Sequence, residues 1–179
     1  MRRISIAAPL FLLLYGVLRW LGGLDGNRRK DDVAWIAGHI SFLIAMVLFG
    51  VLAVLLARRT VAGGRLAKVA AAAAVLGAAC FVWVILDDLH TGVPSLPSPL
   101  TIGGPLLFVL GLVVLLGLQV AAGRAPVWSP VLFFVAYAAI SLNLDLLPPA
   151  ALLILGATAP LARPAATPPR AIRAGSRSR

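Results

Sequence analysis

Long apolar stretches separated by short polar breaks set the pattern of this chain. Four of them, at 4–23, 33–57, 69–86 and 102–122, are each bounded by charge, Pro or Gly. A helix needs about 20 apolar residues to cross a hydrocarbon layer of roughly 30 Å. Each stretch therefore predicts one membrane span. The last apolar region, from Trp128 to Ala162, is too long for one span and short for two. Its middle reads Asn143-Leu144-Asp145-Leu146-Leu147-Pro148-Pro149. Asn and Asp favour turns, and each Pro lacks an amide donor and biases the preceding residue away from helix. The break predicts a fifth span at 129–144 and a sixth at 148–162, with a re-entrant hairpin as the alternative.

The expected fold is thus all-α: a polytopic bundle over 1–162 with six transmembrane helices, followed by a disordered basic tail over 163–179. Composition supports this. Hydrophobic residues make up 61% of the chain and charged residues 12%, with mean hydropathy +1.00. A soluble domain carries about 25% charged residues to cover its surface. The partner that solvates most of this surface is therefore the lipid bilayer.

Charge gives the orientation. With both termini in the cytoplasm, Arg2, Arg3, Arg58, Arg59, Arg65, Lys68, Arg124, Arg163, Arg170, Arg173, Arg177 and Arg179 lie inside, twelve of the sixteen basic residues. This obeys the positive-inside rule, whereas five spans would leave the tail outside. All six Asp residues then fall on the outer side. The net charge of +10 does not imply a nucleic-acid partner, because the basic residues lie between and beyond spans and form no single solvated face. The tail is expected to meet anionic lipid headgroups, at about 1 kcal/mol per basic residue near the surface. The absence of Glu and the scarcity of Lys suggest a GC-rich bacterial genome, hence the inner (plasma) membrane. The N-terminus resembles a signal peptide but lacks a small-x-small cleavage site, and is read as an uncleaved first span.

Packing expectations rest on small residues. Ala70 to Ala74, Gly77, Ala78 and Ala79 nominate span three as the central helix. Gly104 and Gly111 form one face of span four, suited to a homo-oligomer interface or to packing within the chain.

Candidate chemistry is sparse. Ionisable groups within spans are costly and usually face the bundle interior or water. Arg19, His39, Asp87, Asp88, His90 and Asp145 converge on the outer side, and Asn143, Ser41 and Gln119 are lesser candidates. His39, His90 and Asp87 are a conceivable divalent-metal set, with a carboxylate to activate water. No ligand pair has a recognised metal spacing. The competing expectation pairs Arg19 with Asp87 or Asp145 and has His39 hydrogen-bond a neighbouring helix. The lone Cys80 excludes a disulfide within the chain, and no catalytic or cofactor motif occurs. The expected function is a non-enzymatic accessory or structural membrane subunit, with a homo-oligomer or another membrane protein as partner. A small oligomeric transporter or channel subunit and an outer-face metal enzyme are the rivals.

Overall fold

A computed structural model describes residues 1–23, 32–60, 64–90 and 92–162. Within them the chain is helical: α1 (Arg2–Leu21), α2 (Val33–Arg59), α3 (Gly64–Leu89), α4 (Ser98–Ala121), α5 (Trp128–Leu142) and α6 (Leu147–Thr158). Short 3-10 turns flank α6 at Leu144–Leu146 and Ala159–Ala162. Five stretches are long and apolar enough to cross a membrane: α1 to α4, and Leu144–Ala162 taken together. At 15 residues α5 is shorter, about 22 Å at 1.5 Å per residue. The expected tail over 163–179 lies outside the described residues.

Helix boundaries follow local chemistry. Asp32 caps α2, its carboxylate accepting from the Ala34 amide, and Arg58 and Arg59 occupy the last turn, where cations suit the helix dipole. Asn143 ends α5 in extended conformation, and its side chain accepts from the Asp145 amide 2.9 Å away. Pro148 and Pro149 then fall in the first turn of α6, where a missing amide costs no helical bond. The break between the two helices thus combines an Asn turn with proline placement.

Neighbouring helices pack in chain order, and α1 against α6 closes a ring. Successive helices run antiparallel. The closure fixes the depth of α6: the Trp20 indole donates to the Asp145 carbonyl at one end, and the Thr158 hydroxyl donates to Ser5 O at the other, 2.8 Å in each case. The chain from Asp145 to Thr158 therefore runs the same depth as α1 between Ser5 and Trp20. A Cβ on Gly16 would meet Pro148 N at 2.9 Å, so the two helices approach closely there.

This alternation sorts charge to two ends. Arg2, Arg3, Arg58, Arg59, Arg65, Lys68 and Arg124 mark a basic end; Asp32, Asp87, Asp88 and Asp145 mark an acidic end. Outward-facing positions such as Val47, Val51, Leu76, Leu110 and Leu152 are exposed and apolar, as lipid contact requires.

Two packing expectations are decided. The small-residue helix α3 is not central: it packs on α2 and α4 and exposes Val69, Leu76 and Trp83. Helix α2 instead touches α1, α3 and α4. Small side chains lower the separation between two helices; they do not draw a third helix around them. The glycine face of α4 is taken up inside the chain. Cβ atoms on Gly104 and Gly111 would clash with Cys80 and with the Ala70 and Ala74 backbone.

The ring is filled by aromatic residues. Phe108 is its hub, with ring centroids 5.7 Å from Phe49, 5.6 Å from Phe81, 6.5 Å from Phe133 and 5.3 Å from Tyr137. Phe49, Phe108 and Phe133 are fully buried.

Candidate functional site

The acidic end collects the candidate residues but distributes them between two separate pairs. Arg19, in the last turn of α1, places Nε 4.0 Å from Asp145 Oδ1 in the turn before α6. That is ion-pair range and too long for a hydrogen bond. The Arg19 Nε is buried and makes no hydrogen bond among the described residues. Of the two carboxylates expected as partners for Arg19, the fold supplies Asp145, because ring closure sets α6 and not α3 beside α1.

His39 lies two turns into α2, where its ring stacks on Trp35 with centroids 3.8 Å apart and meets Tyr15 edge-on. Its Nδ1 bonds within α2 and not to a neighbouring helix as expected: it is 2.8 Å from the Trp35 carbonyl one turn back, which can only accept, so Nδ1 carries a proton. Nε2 then faces Asp88 Oδ2 at 3.9 Å, an ion pair whenever the imidazole is protonated. The α3 carboxylate beside His39 is Asp88 and not Asp87. A one-residue step turns a side chain about 100° around a helix, so the spacing between Asp87 and His90 could not reveal which Asp faces α2. Asp87 and His90 make no side-chain hydrogen bond or ion pair with other described residues. Among those residues no three His, Cys, Asp or Glu side chains gather at metal-binding range.

The lesser candidates are local fasteners. Ser41 donates to Ala37 O one turn back, and Asn143 caps the turn at Asp145. Gln119, buried near the basic end, donates to Thr60 Oγ1 at 2.9 Å and to Leu56 O at 3.3 Å, tying α4 to α2. Nearby, the Arg124 guanidinium donates to Arg59 O. The indoles of Trp20 and Trp83 donate to the Asp145 and Pro94 carbonyls. These two indoles therefore hold the connections at the acidic end.

A cavity of about 510 Å³ lies in the acidic half of the ring, and nothing in the order of residues announces it. Its walls come from α1 to α5 and from the chain leading into α6, among them Tyr15, Phe42, Phe81, Pro105, Phe134 and Tyr137. Leu106, Phe134, Ala138, Ser141 and Leu144, also in the lining, are exposed, so the cavity opens on the seam between α4 and α5. Tyr137 is 6% exposed and its hydroxyl has no partner among the described residues. Leaving such a hydroxyl unpaired costs about 1–3 kcal/mol. No single stretch contributes enough of this lining to be legible as a motif.

The fold and its apolar exterior define a helical membrane protein. A scan against family models and searches among curated proteins and solved structures found no match to this chain.

The pairing of Arg19 with Asp145 has a direct test. Arg19→Leu is expected to lower thermal stability more than the double variant Arg19→Leu, Asp145→Asn does, since the single change removes the cation that Asp145 faces and the double variant removes the carboxylate as well. With Asp145 about half exposed, solvent screening holds the coupling to about 1 kcal/mol or less. Equal melting of the two variants would remove the pair from the account.

Proposed function

We propose that this chain is a small, non-enzymatic membrane subunit that crosses the bilayer six times with both termini in the cytoplasm of a bacterial cell. The observation that carries this reading is the aromatic plug. Phe49, Phe108 and Phe133 fill the ring where a conducting or transporting protein needs a polar path. The polar groups on either side of the plug support the same view. At the acidic end they pair helix with helix, and at the basic end Gln119 and Arg124 bind backbone. They work as fasteners between elements. The sorting of charge to two ends supports a basic cytoplasmic face under the positive-inside rule.

Sealed proteoliposomes loaded with a pH-sensitive or potassium-sensitive dye test the reading. Flux is expected to equal that of protein-free vesicles, and elemental analysis of the same purified protein is expected to find no stoichiometric divalent metal. A saturable flux would transfer the protein to the transporters. Bound metal that disappears in His39→Ala would transfer it to the metal enzymes.

A further inference from the structure

We propose that the corner of the basic end where α2, α3 and α4 meet holds the phosphate of an anionic phospholipid, and that the exposed face of α3 seats its acyl chain. This goes beyond the subunit reading and holds whichever compartment the basic end faces. Five of the seven cations that mark this end belong to the one corner: Arg58 and Arg59 in the last turn of α2, Arg65 and Lys68 at the start of α3, and Arg124 just past α4. All five are exposed. Arg124 donates to Arg59 O and Gln119 to Thr60 Oγ1, which fixes the end of α4 against the end of α2. A guanidinium has five N–H donors, so Arg124 keeps others for a ligand. Arg65 and Lys68, three residues apart, are neighbours on one face of α3.

The chain offers these cations no side-chain counter-charge of its own. It has no Glu, and no Asp occurs between Asp32 and Asp87 or between Asp88 and Asp145. From Arg65 to Asp87, the first carboxylate on α3, the helix runs about 33 Å at 1.5 Å per residue. That is several times the Debye length of about 8 Å at physiological salt. The dipole of α3 is positive at the same end and adds to the field. The positive-inside rule accounts for cations at this end. It does not require that α2, α3 and α4 pool theirs while residues 125–162 contribute none. Phosphate oxygens, which accept from several Arg and Lys donors at once, supply the missing charge.

The face that continues from these cations identifies the bearer of the phosphate. Arg65, Val69, Ala72 and Leu76 follow one another at helical spacing, a single row along α3. Val69 is 65% exposed and Leu76 52%. Ala72 between them is exposed and small, so a hydrocarbon chain can lie close to the backbone there. From Arg65 to Leu76 the row is about 16 Å long, the depth of one leaflet in a hydrocarbon layer of roughly 30 Å. A headgroup at one end of the row and an acyl chain along it match an amphiphile. A nucleic acid or a free phosphate would use the cations and leave the row unmatched. Zwitterionic phosphatidylcholine brings a cation of its own, which these residues repel.

The test titrates the full chain in detergent micelles with phosphatidylglycerol or phosphatidylcholine and counts bound lipid by native mass spectrometry. Phosphatidylglycerol is expected to bind about tenfold more tightly than phosphatidylcholine. Arg65→Gln combined with Lys68→Gln is expected to weaken it by about tenfold or more, since each basic residue beside anionic lipid is worth about fivefold. The control, Arg2→Gln with Arg3→Gln, takes the same charge from the same end outside the corner, and is expected to cost less than about threefold. Thermal melts separate loss of lipid from loss of fold. Should the double variant unfold, Lys68→Gln alone, at an exposed position, reads the same site with an expected loss of about fivefold. Three outcomes overturn the proposal. The first is an equal loss in the control, which is a diffuse field and no site. The second is phosphatidylcholine held as tightly as phosphatidylglycerol, which is retention by acyl contacts alone. The third is displacement of the lipid by an equal concentration of glycerol 3-phosphate or of a single-stranded oligonucleotide, which is a free-phosphate site or a nucleic-acid surface.

Discussion

Gly77→Ala is expected to destabilise the bundle by about 2 kcal/mol, although alanine is the better helix former. Two opposing effects set this figure. Replacing an interior helical glycine by alanine gains roughly 1 kcal/mol of propensity. Against it stands a clash that cannot relax cheaply. A Cβ at position 77 would lie well inside 3 Å of the Gly104 carbonyl oxygen, the Phe108 amide nitrogen and the Phe108 Cβ. Two of those atoms are backbone within α4, so only movement of the whole helix relieves the contact. Overpacking in tight cores costs about 1–3 kcal/mol, and a backbone obstacle puts Gly77 at or beyond the upper end. The control is Gly117→Ala in α4, where nothing lies within 4 Å of the new methyl. There the propensity gain acts alone, and stability is expected to hold or rise. Unfolding titrations of both variants in mixed micelles measure the contrast. A Gly77→Ala protein as stable as Gly117→Ala would mean that α3 and α4 do not pack backbone to backbone.

Phe108→Ala is expected to cost a similar amount by the opposite route. Its ring is fully buried and touches Phe49, Phe81, Phe133 and Tyr137. In water, a Phe→Ala change in a core costs about 3–5 kcal/mol, part of it the lost transfer of apolar surface out of solvent. In a bilayer that part nearly vanishes, because lipid tails are as apolar as the core. The void remains. At ~24 cal/mol per Å³, a cavity on the order of 100 Å³ gives roughly 2 kcal/mol. Phe108→Leu, which leaves a smaller void, is expected to lose about half as much. A substitution without effect on unfolding in micelles would show that the ring of helices is held elsewhere, at its ends.

These two positions differ in how far the sequence announced them. Gly77 belongs to a run of small residues that predicts close helix approach, and only its partner was open. Phe108 is one apolar residue among many in α4, with nothing in its neighbours to distinguish a hub from a lipid-facing side chain. Leu106 and Leu110, two residues to either side, are both exposed. A span surrounded by lipid offers little contrast between its faces, since the inner and outer sides are equally apolar.

The candidate site divides in the same way. Its members were legible because an ionisable group in a span has few places to go. Their pairing was not. Arg19 meets Asp145 across 126 positions of chain, and His39 meets Asp88 across 49, through contacts that depend on ring order and helix rotation.

What can be read along the chain is the set of elements. Length of apolar run, charge, proline and asparagine place the helices, because those are local costs incurred within one turn, although α3 starts at Gly64 and α4 at Ser98, ahead of the apolar runs at 69 and 102. The gathering of opposite charge at alternate ends is legible too, since it follows from chain direction alone. It took the assembled fold to establish that α6 closes against α1, that α3 occupies the glycine face of α4, and that six segments enclose an aromatic-walled cavity. Each of these depends on which face of a helix turns toward which neighbour. Where lipid and core are equally apolar, hydrophobicity cannot choose that face, and close packing and a few polar contacts choose it instead.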